Sequence, residues 1–180
     1  MPTILTHPAV PLALAIGLGG SRVSKRLLLA GVAGSMLPDI DVVAFHFGVE
    51  YADALGHRGI THSIFLALLV AALGASQHRT LRASFSLSFN YLFLSIGSHG
   101  LLDALTNGGL GIALLWPFSA ERFFAPWQFI EVSPIGLSAF LSARGAVVLW
   151  SELCWVWAPL AVIAATATVL RWVITTRRLT

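Results

Sequence analysis

Cysteine is almost absent from this sequence, since Cys154 is the single one among 180 residues. A lone cysteine excludes a disulfide or a thiolate metal cluster within one chain. Charged residues are also scarce, at 11% compared with roughly 25% in soluble domains. The sequence contains neither the H-E-x-x-H pattern of metalloproteases nor the G-x-S-x-G pattern of serine hydrolases. Any chemistry must therefore rest on histidine and carboxylate side chains in an apolar chain.

Apolar residues dominate the composition, at 57% with a mean hydropathy of +0.82. This composition predicts an integral membrane protein, and the length fits one domain over residues 1–180. Five apolar segments predict an all-α, polytopic bundle of about five transmembrane helices. They cover about residues 5–20, 27–47, 60–76, 85–106 and 146–170. Residues 107–143, rich in glycine, proline and aromatic residues, are predicted to form an interfacial loop, with Trp116 and Trp127 at headgroup depth.

The basic residues predict the orientation of these segments. Eight of the eleven lie on one side of the predicted bundle: Arg22, Lys25, Arg26, Arg79, Arg82, Arg171, Arg177 and Arg178. The positive-inside rule makes that side cytoplasmic and places the N-terminus outside. The net charge of +3 is thereby explained by topology, and we do not expect nucleic acid as a partner. The sequence does not indicate an oligomeric state.

Histidine and acidic residues cluster at the opposite, outer end of the segments. They are His7, Asp39, Asp41, His57, His62, His99, Asp103 and Glu152. Ionisable groups at membrane depth are costly and usually functional. The orientation follows from Lys and Arg alone. The shared membrane depth of these histidine and acidic residues is therefore an independent indication of a site.

The spacing of these residues suits a metal ion. His99 and Asp103 are four residues apart, so one helical face presents both. Imidazole and carboxylate without thiolate favour zinc, manganese or iron. The alternative for this pair is a hydrogen bond that steadies the bundle. One of Asp39 and Asp41, which follow Pro38, could instead cap a helix.

Two further alternatives concern residues near segment ends. Gly59 breaks the stretch between His57 and His62, so one histidine can lie in a loop while the other starts a helix. Thr61 and Ser63 are predicted helix caps. Glu152 could be a site residue or an interfacial one.

Four motifs together resemble a known family. An N-terminal "TH" is followed by "LPDID", "HRGITHS" and "HGLLDALTNGG" within about the first 110 residues. This order resembles the YdjM-like group of LexA-regulated bacterial inner-membrane proteins, described as membrane-bound metal-dependent hydrolases. The motif order is similar in turn to zinc-dependent phospholipase C, which implies a phospholipase C-like helical core.

The resemblance also implies ligands. One metal would be bound by an aspartate of "PDID" (Asp39 first, Asp41 second), by His62 or His57, and by His99 and Asp103. A second metal could share Asp103 with His7. No histidine follows His99, and Glu152 alone cannot rebuild the remaining phospholipase site. We therefore expect one or two divalent ions, zinc first and manganese second.

The predicted activity is hydrolysis of a phosphate ester in a membrane lipid or lipid-linked substrate by metal-activated water. Whichever of Asp39 and Asp41 is not a ligand would orient the water or take its proton. Arg58 would bind a phosphate oxygen. The alternatives are a non-catalytic membrane protein with a structural metal site and a transporter. A transporter is disfavoured because the cytoplasmic halves of the segments carry almost no polar groups.

Overall fold

The computed structural model of this chain describes residues 1–134 and 136–177, which form helices joined by loops. The α-helices are α1 (Ala9–Leu18), α2 (Lys25–Met36), α3 (Ile64–Ser76), α4 (Phe85–Ala104), α5 (Leu137–Phe140), α6 (Ala143–Glu152) and α7 (Ala158–Arg177). Two 3₁₀ segments, Leu37–Phe47 and Ile60–His62, and a π-helical turn, Leu153–Trp157, complete the helical structure. In the described ranges, strand-like pairing is limited to two isolated bridges. The predicted all-α class is confirmed.

Serine side chains determine where several helices begin. Ser24, Ser63 and Ser84 each accept a hydrogen bond from the backbone N–H three residues later. Such caps satisfy a donor that the first helical turn leaves without a partner. The predicted cap at Ser63 is therefore confirmed, whereas Thr61 donates its hydroxyl hydrogen to Asp41 instead.

The prediction of five transmembrane helices is wrong. Only two helical stretches in the described ranges, Lys25–Phe47 and Ala143–Arg177, are long and apolar enough to cross a membrane. α1 has 10 residues and α3 has 13, about 15 and 20 Å at 1.5 Å per residue, which is short of ~30 Å of hydrocarbon. α4 has 20 residues, but its serines and its Asn, His and Asp make it too polar.

Helices α2, α3 and α4 pack around one core and bring the predicted site together. Their buried contacts include Leu27 from α2, Ala67 and Ala71 from α3, and Tyr91 and Ile96 from α4. The Tyr91 hydroxyl also donates to a backbone carbonyl of α1 at 2.8 Å. α1 packs in turn against α7, so α1 links α7 to this core.

The long connection between α4 and α6 covers almost the whole predicted loop 107–143 and contains the short helix α5. Residues 105–136 contain no helix where they are described, but α5 and the start of α6 at Ala143 fall inside the predicted loop 107–143. That the loop 107–143 lies at the membrane interface stays a prediction. Several hydrogen bonds fix the connection to the rest of the bundle. Among them, the Ala125 N–H donates to the Ala104 carbonyl at 2.8 Å, and the Ala113 N–H donates to the Arg58 carbonyl at 3.0 Å.

Gly100 allows α4 to approach the backbone of His62. A Cβ atom at Gly100 would lie 2.8 Å from the His62 carbonyl oxygen. We expect Gly100→Ala to lower the free energy of unfolding by about 1–3 kcal/mol, measured by thermal unfolding in detergent. The matched control is Gly97→Ala, whose Cβ would meet nothing nearer than 3.9 Å and which should be neutral or stabilising. Equal stability of the two variants would contradict this close approach.

Candidate metal centre

Four buried side chains converge at one end of the bundle. Asp39 comes from the first 3₁₀ segment, His62 ends the second, and α4 supplies His99 and Asp103. All four are at most 4% exposed. One potential ligand atom from each lies within 4.8 Å of those of the other three. We call these four residues the acid–histidine quartet.

The spacing within the quartet matches the ligand shell of a small divalent ion. The Nε2 atoms of His62 and His99 are 3.0 Å apart, and His99 Nε2 is 3.3 Å from an oxygen of Asp39. His62 Nε2 is 3.2 Å from an oxygen of Asp103. Ligands about 2.0–2.2 Å from a tetrahedral zinc ion stand roughly 3.3 Å from each other. The quartet can therefore hold such an ion once the 4.0 Å separation of His62 Nε2 and Asp39 Oδ1 shortens.

The carboxylates of the quartet lack hydrogen-bond donors. No described residue donates a hydrogen bond to either oxygen of Asp39 or of Asp103. The Arg58 Nε atom lies 3.1 Å from Asp103 Oδ2, but as an ion pair without hydrogen-bond geometry. Burying carboxylates without hydrogen bonds is strongly unfavourable unless cations neutralise them, and Arg58 pairs with Asp103 but not with Asp39. These oxygens are the feature of the site that best fits a metal ion.

Both histidines of the quartet are oriented through their other ring nitrogen. His99 Nδ1 lies 2.7 Å from the carbonyl oxygen of Ser35, which can only accept, so Nδ1 donates. His62 Nδ1 lies 2.9 Å from the hydroxyl oxygen of Thr61, whose hydrogen is donated to Asp41, and 3.3 Å from a carboxylate oxygen of Asp41. With the proton on Nδ1, each Nε2 atom presents its lone pair to the centre, as metal-binding histidines do.

Asp41 supports the quartet from outside it. Its oxygens face His57 Nδ1 at 2.6 Å and accept from the Thr61 hydroxyl at 2.6 Å and the Arg58 backbone N–H at 3.2 Å. Asp41, His57 and His62 form a second group with ligand atoms within 4.8 Å. Because Asp41 is already hydrogen-bonded, Asp39 and His62 are the better ligand candidates from their two motifs.

His7 covers one side of the quartet. Its ring stacks on that of His99, with centroids 3.6 Å apart. His7 Nε2 lies 3.7 Å from Asp39 Oδ2 and 3.8 Å from Asp103 Oδ1. Neither ring nitrogen is hydrogen-bonded by a described residue. The two carboxylates thus face His62 and His99 with one oxygen and His7 with the other.

Arg58 is the buried cation of the site. Its φ of 65° is unusual for a residue other than glycine. Its guanidinium donates to the Gly108 carbonyl at 2.7 Å and to the Thr106 hydroxyl at 2.8 Å. Burial lowers the pKa of Arg58 and the neighbouring Asp103 raises it, but a guanidinium stays charged in proteins. These protein groups already occupy part of the planar guanidinium group. The role of Arg58 in phosphate binding stays a prediction.

Glu152 lies outside the quartet and binds the N-terminal segment. The buried carboxylate accepts hydrogen bonds from the hydroxyls of Thr3 and Thr6, each at 2.7 Å, and also from the Thr3 backbone N–H. Trp157 Nε1 donates to the Thr6 hydroxyl at 3.1 Å. These bonds fix the chain immediately before His7, so the structure places Glu152 in a supporting position.

Sequence reasoning missed the contributions of Tyr51 and Thr61. The Tyr51 ring packs edge-on against His57, with centroids 5.2 Å apart. Burial, with a contribution from the charge of Asp103, raises the pKa of Tyr51 to about 12, so its phenol is neutral at physiological pH. Thr61, whose hydroxyl donates to Asp41, lies within the "HRGITHS" motif. That motif was a signal for this role. No comparable pattern surrounds Tyr51.

The fold and the site define an all-helical membrane protein whose buried aspartates and histidines could bind a divalent cation. A family model described as the YdjM inner membrane protein matches residues 1–177, and the chain belongs to that family. It is 49% identical over 160 residues to the inner membrane protein YbcI of Escherichia coli (strain K12), covering 88% of this chain and 92% of that protein. No solved structure matches the chain. The predicted family and the inner-membrane location are thereby confirmed.

Proposed function

We propose that the protein is a membrane-embedded, metal-dependent hydrolase that cleaves a phosphate ester of a lipid or lipid-linked substrate. The observation that carries the proposal is the pair of buried carboxylates, Asp39 and Asp103, whose oxygens lack hydrogen-bond donors and face three histidines. This arrangement suits one or two divalent ions. The donor set favours zinc, with manganese as the alternative.

The two sides of the carboxylates offer different coordination. The quartet would supply four protein ligands to a first ion. On the other side His7, Asp39 and Asp103 would supply three ligands to a second ion, which leaves one position for water. Catalytic zinc sites keep such an open position, whereas structural sites are closed. We therefore assign hydrolysis to the His7 side.

The charge of the site favours an anionic substrate. Asp39, Asp41 and Asp103 with Arg58 leave a formal charge of −2 in a buried environment when the histidines are neutral. One divalent ion would neutralise this charge, and two would give a formal charge of +2. A phosphate ester would then be attracted rather than repelled, since Coulomb interactions are strong at low dielectric.

The chain's residues divide the work of the proposed reaction. A bound divalent ion would lower the pKa of water from about 16 to about 7 and neutralise charge on a phosphoryl oxygen. Asp39 and Asp103 would hold the ions, and Asp41 would keep His62 in the right tautomer. The oxygen of water bonds to phosphorus, the ester P–O bond breaks, and the alcohol leaves with a proton. Because Asp41 already accepts several hydrogen bonds, orienting His62 suits it better than the predicted role as a base.

The proposed orientation places this site toward the outer face of the inner membrane. Lys25 and Arg26 begin the first candidate span, and the site lies at its other end. Arg171 and Arg177 lie near the end of the second span, whose other end carries Glu152. The positive-inside rule makes the basic ends cytoplasmic. The substrate would then be an amphipathic molecule of the outer leaflet.

One observation favours a structural metal site as the second candidate. The four ligands of the quartet are almost completely buried, and four protein ligands without water are typical of structural zinc. A protein of this kind would bind one ion tightly and turn over no phosphate ester. The two candidates differ in whether the His7 side binds metal.

The test compares His7→Ala with His62→Ala in purified, detergent-solubilised protein. We expect His7→Ala to retain one of two ions and to lose phosphodiesterase activity. The substitution removes a ligand only of the ion that keeps an open position for water. His62→Ala should lose the quartet ion, because it removes one of the four ligands of that ion. The measurements are metal content by elemental analysis and release of product from a panel of phospholipids and lipid-linked phosphates.

The matched control for this test is His46→Ala, at an exposed histidine of the first 3₁₀ segment, which should keep metal and activity. A wild-type protein that holds one ion and hydrolyses none of the panel would favour the structural metal site. Full metal content and activity in both His7→Ala and His62→Ala would contradict the ligand assignment.

A further inference from the structure

An apolar groove opens beside the acid–histidine quartet. Its volume is about 430 Å³, within the ~300–1,000 Å³ range of small-molecule pockets. Three parts of the chain line it: the N-terminal segment, the first 3₁₀ segment and the region around α5. The apolar lining comes mainly from Met1, Ile4, Leu5, Val42, Pro134 and Phe140.

A member of the quartet lines the groove. Asp39 lines it, is only 3% exposed and has no hydrogen-bond donor on either carboxylate oxygen. Two other apolar grooves, one beside Gly34 and Leu92 and one beside Val10 and Leu101, have no quartet member in their walls. The groove at Asp39 therefore differs from ordinary lipid-facing surface by its connection to the candidate metal centre.

The walls of this groove are held in place by hydrogen bonds. The Ser133 backbone N–H donates to the Met1 carbonyl at 2.9 Å, which joins the N-terminal segment to the loop before α5. Glu152 fixes Thr3 from the other side. The groove is thus formed before any ligand enters, which reduces the entropic penalty of binding.

We infer that this groove binds the single hydrocarbon chain of an amphipathic phosphate ester, with the phosphate at the Asp39 end. The inference rests on the proposed function and adds the place where the hydrocarbon chain of the substrate binds. A hydrocarbon chain suits the lining because it has no polar group to satisfy.

A peptide suits the same lining poorly. The Thr3 hydroxyl already donates to Glu152 and the Ser133 hydroxyl donates to the Pro134 carbonyl at 3.3 Å. The backbone N–H and C=O groups of a peptide would therefore find few partners along the groove, and unsatisfied buried amides are unfavourable. The groove thus selects an alkyl or isoprenoid chain by its lack of free polar groups.

The test compares the binding of dodecyl phosphate and inorganic phosphate to the zinc-loaded protein in a non-ionic detergent. We expect dodecyl phosphate to bind at least ~10-fold tighter, because its chain is buried in the groove. Ile4→Trp fills the groove and should remove this difference while leaving phosphate binding and zinc content unchanged. Phe140→Ala, which removes part of a wall, should reduce the difference by a smaller factor.

The matched control is Val162→Trp on the exposed face of α7, where Val162 is 66% exposed and the difference should persist. Equal binding of the two probes by wild type, or a difference that survives in Ile4→Trp, would overturn the groove assignment. Dodecyl phosphate binding that needs no zinc and is lost in Ile4→Trp would keep the groove and contradict the proposed metal-dependent function.

Discussion

The double variant His99→Ala, Asp103→Ala should lose every metal ion that the wild-type protein holds. Both residues belong to the quartet, and Asp103 also faces His7, so the double substitution removes ligands on both sides of the site. Elemental analysis of detergent-solubilised protein should find about one or two ions per wild-type chain and none in the variant. This difference is the largest that we expect from any substitution.

The control for this double variant removes the same two residue types elsewhere. His46 and Asp53 are both exposed, and His46→Ala, Asp53→Ala should keep the full metal content. Binding should weaken as the pH falls, because imidazole must be neutral to act as a ligand. Absence of metal from the wild-type protein at every pH where imidazole is neutral would make the cluster a hydrogen-bond network and remove the basis for the proposed hydrolase.

The candidate site was largely predictable because its residues recur in short local patterns. The four-residue spacing of His99 and Asp103 requires only that α4 be a helix, and both side chains lie on its buried face. The choice between Asp39 and Asp41 needed the structure. At three residues per turn of a 3₁₀ helix, residues two apart point about 120° away from each other. Asp39 consequently faces the quartet while Asp41 faces the His57 loop.

The number of membrane spans was not predictable from apolar runs because those runs do not show where a helix starts. The first segment was predicted over residues 5–20, but α1 has only 10 residues, beginning at Ala9 after a series of turns. The third segment includes the 3₁₀ segment Ile60–His62, so α3 itself is short. Hydropathy does not distinguish these turns and 3₁₀ residues from α-helix.

Glu152→Gln should destabilise the protein and weaken the ion beside His7. Glu152 accepts hydrogen bonds from the hydroxyls of Thr3 and Thr6 and from the Thr3 backbone N–H. The amide group of glutamine would leave one or two of these buried donors without an acceptor, at about 1–3 kcal/mol each. The thermal midpoint should fall by on the order of 5–10 °C. Its effect was not predictable from sequence, since these partners lie more than 140 positions away.

The metal content of Glu152→Gln separates a positioning role from general destabilisation. His7 has no hydrogen bond of its own from the described residues, so its position depends on the preceding segment that Glu152 fixes. Loss of the ion beside His7 with retention of the quartet ion would support positioning. Glu121→Gln, at an exposed glutamate, should change neither the thermal midpoint nor the metal content. A Glu152→Gln variant that unfolds at the wild-type temperature with full metal content would show that the N-terminal segment is held by its other contacts, such as the Trp157 bond to Thr6.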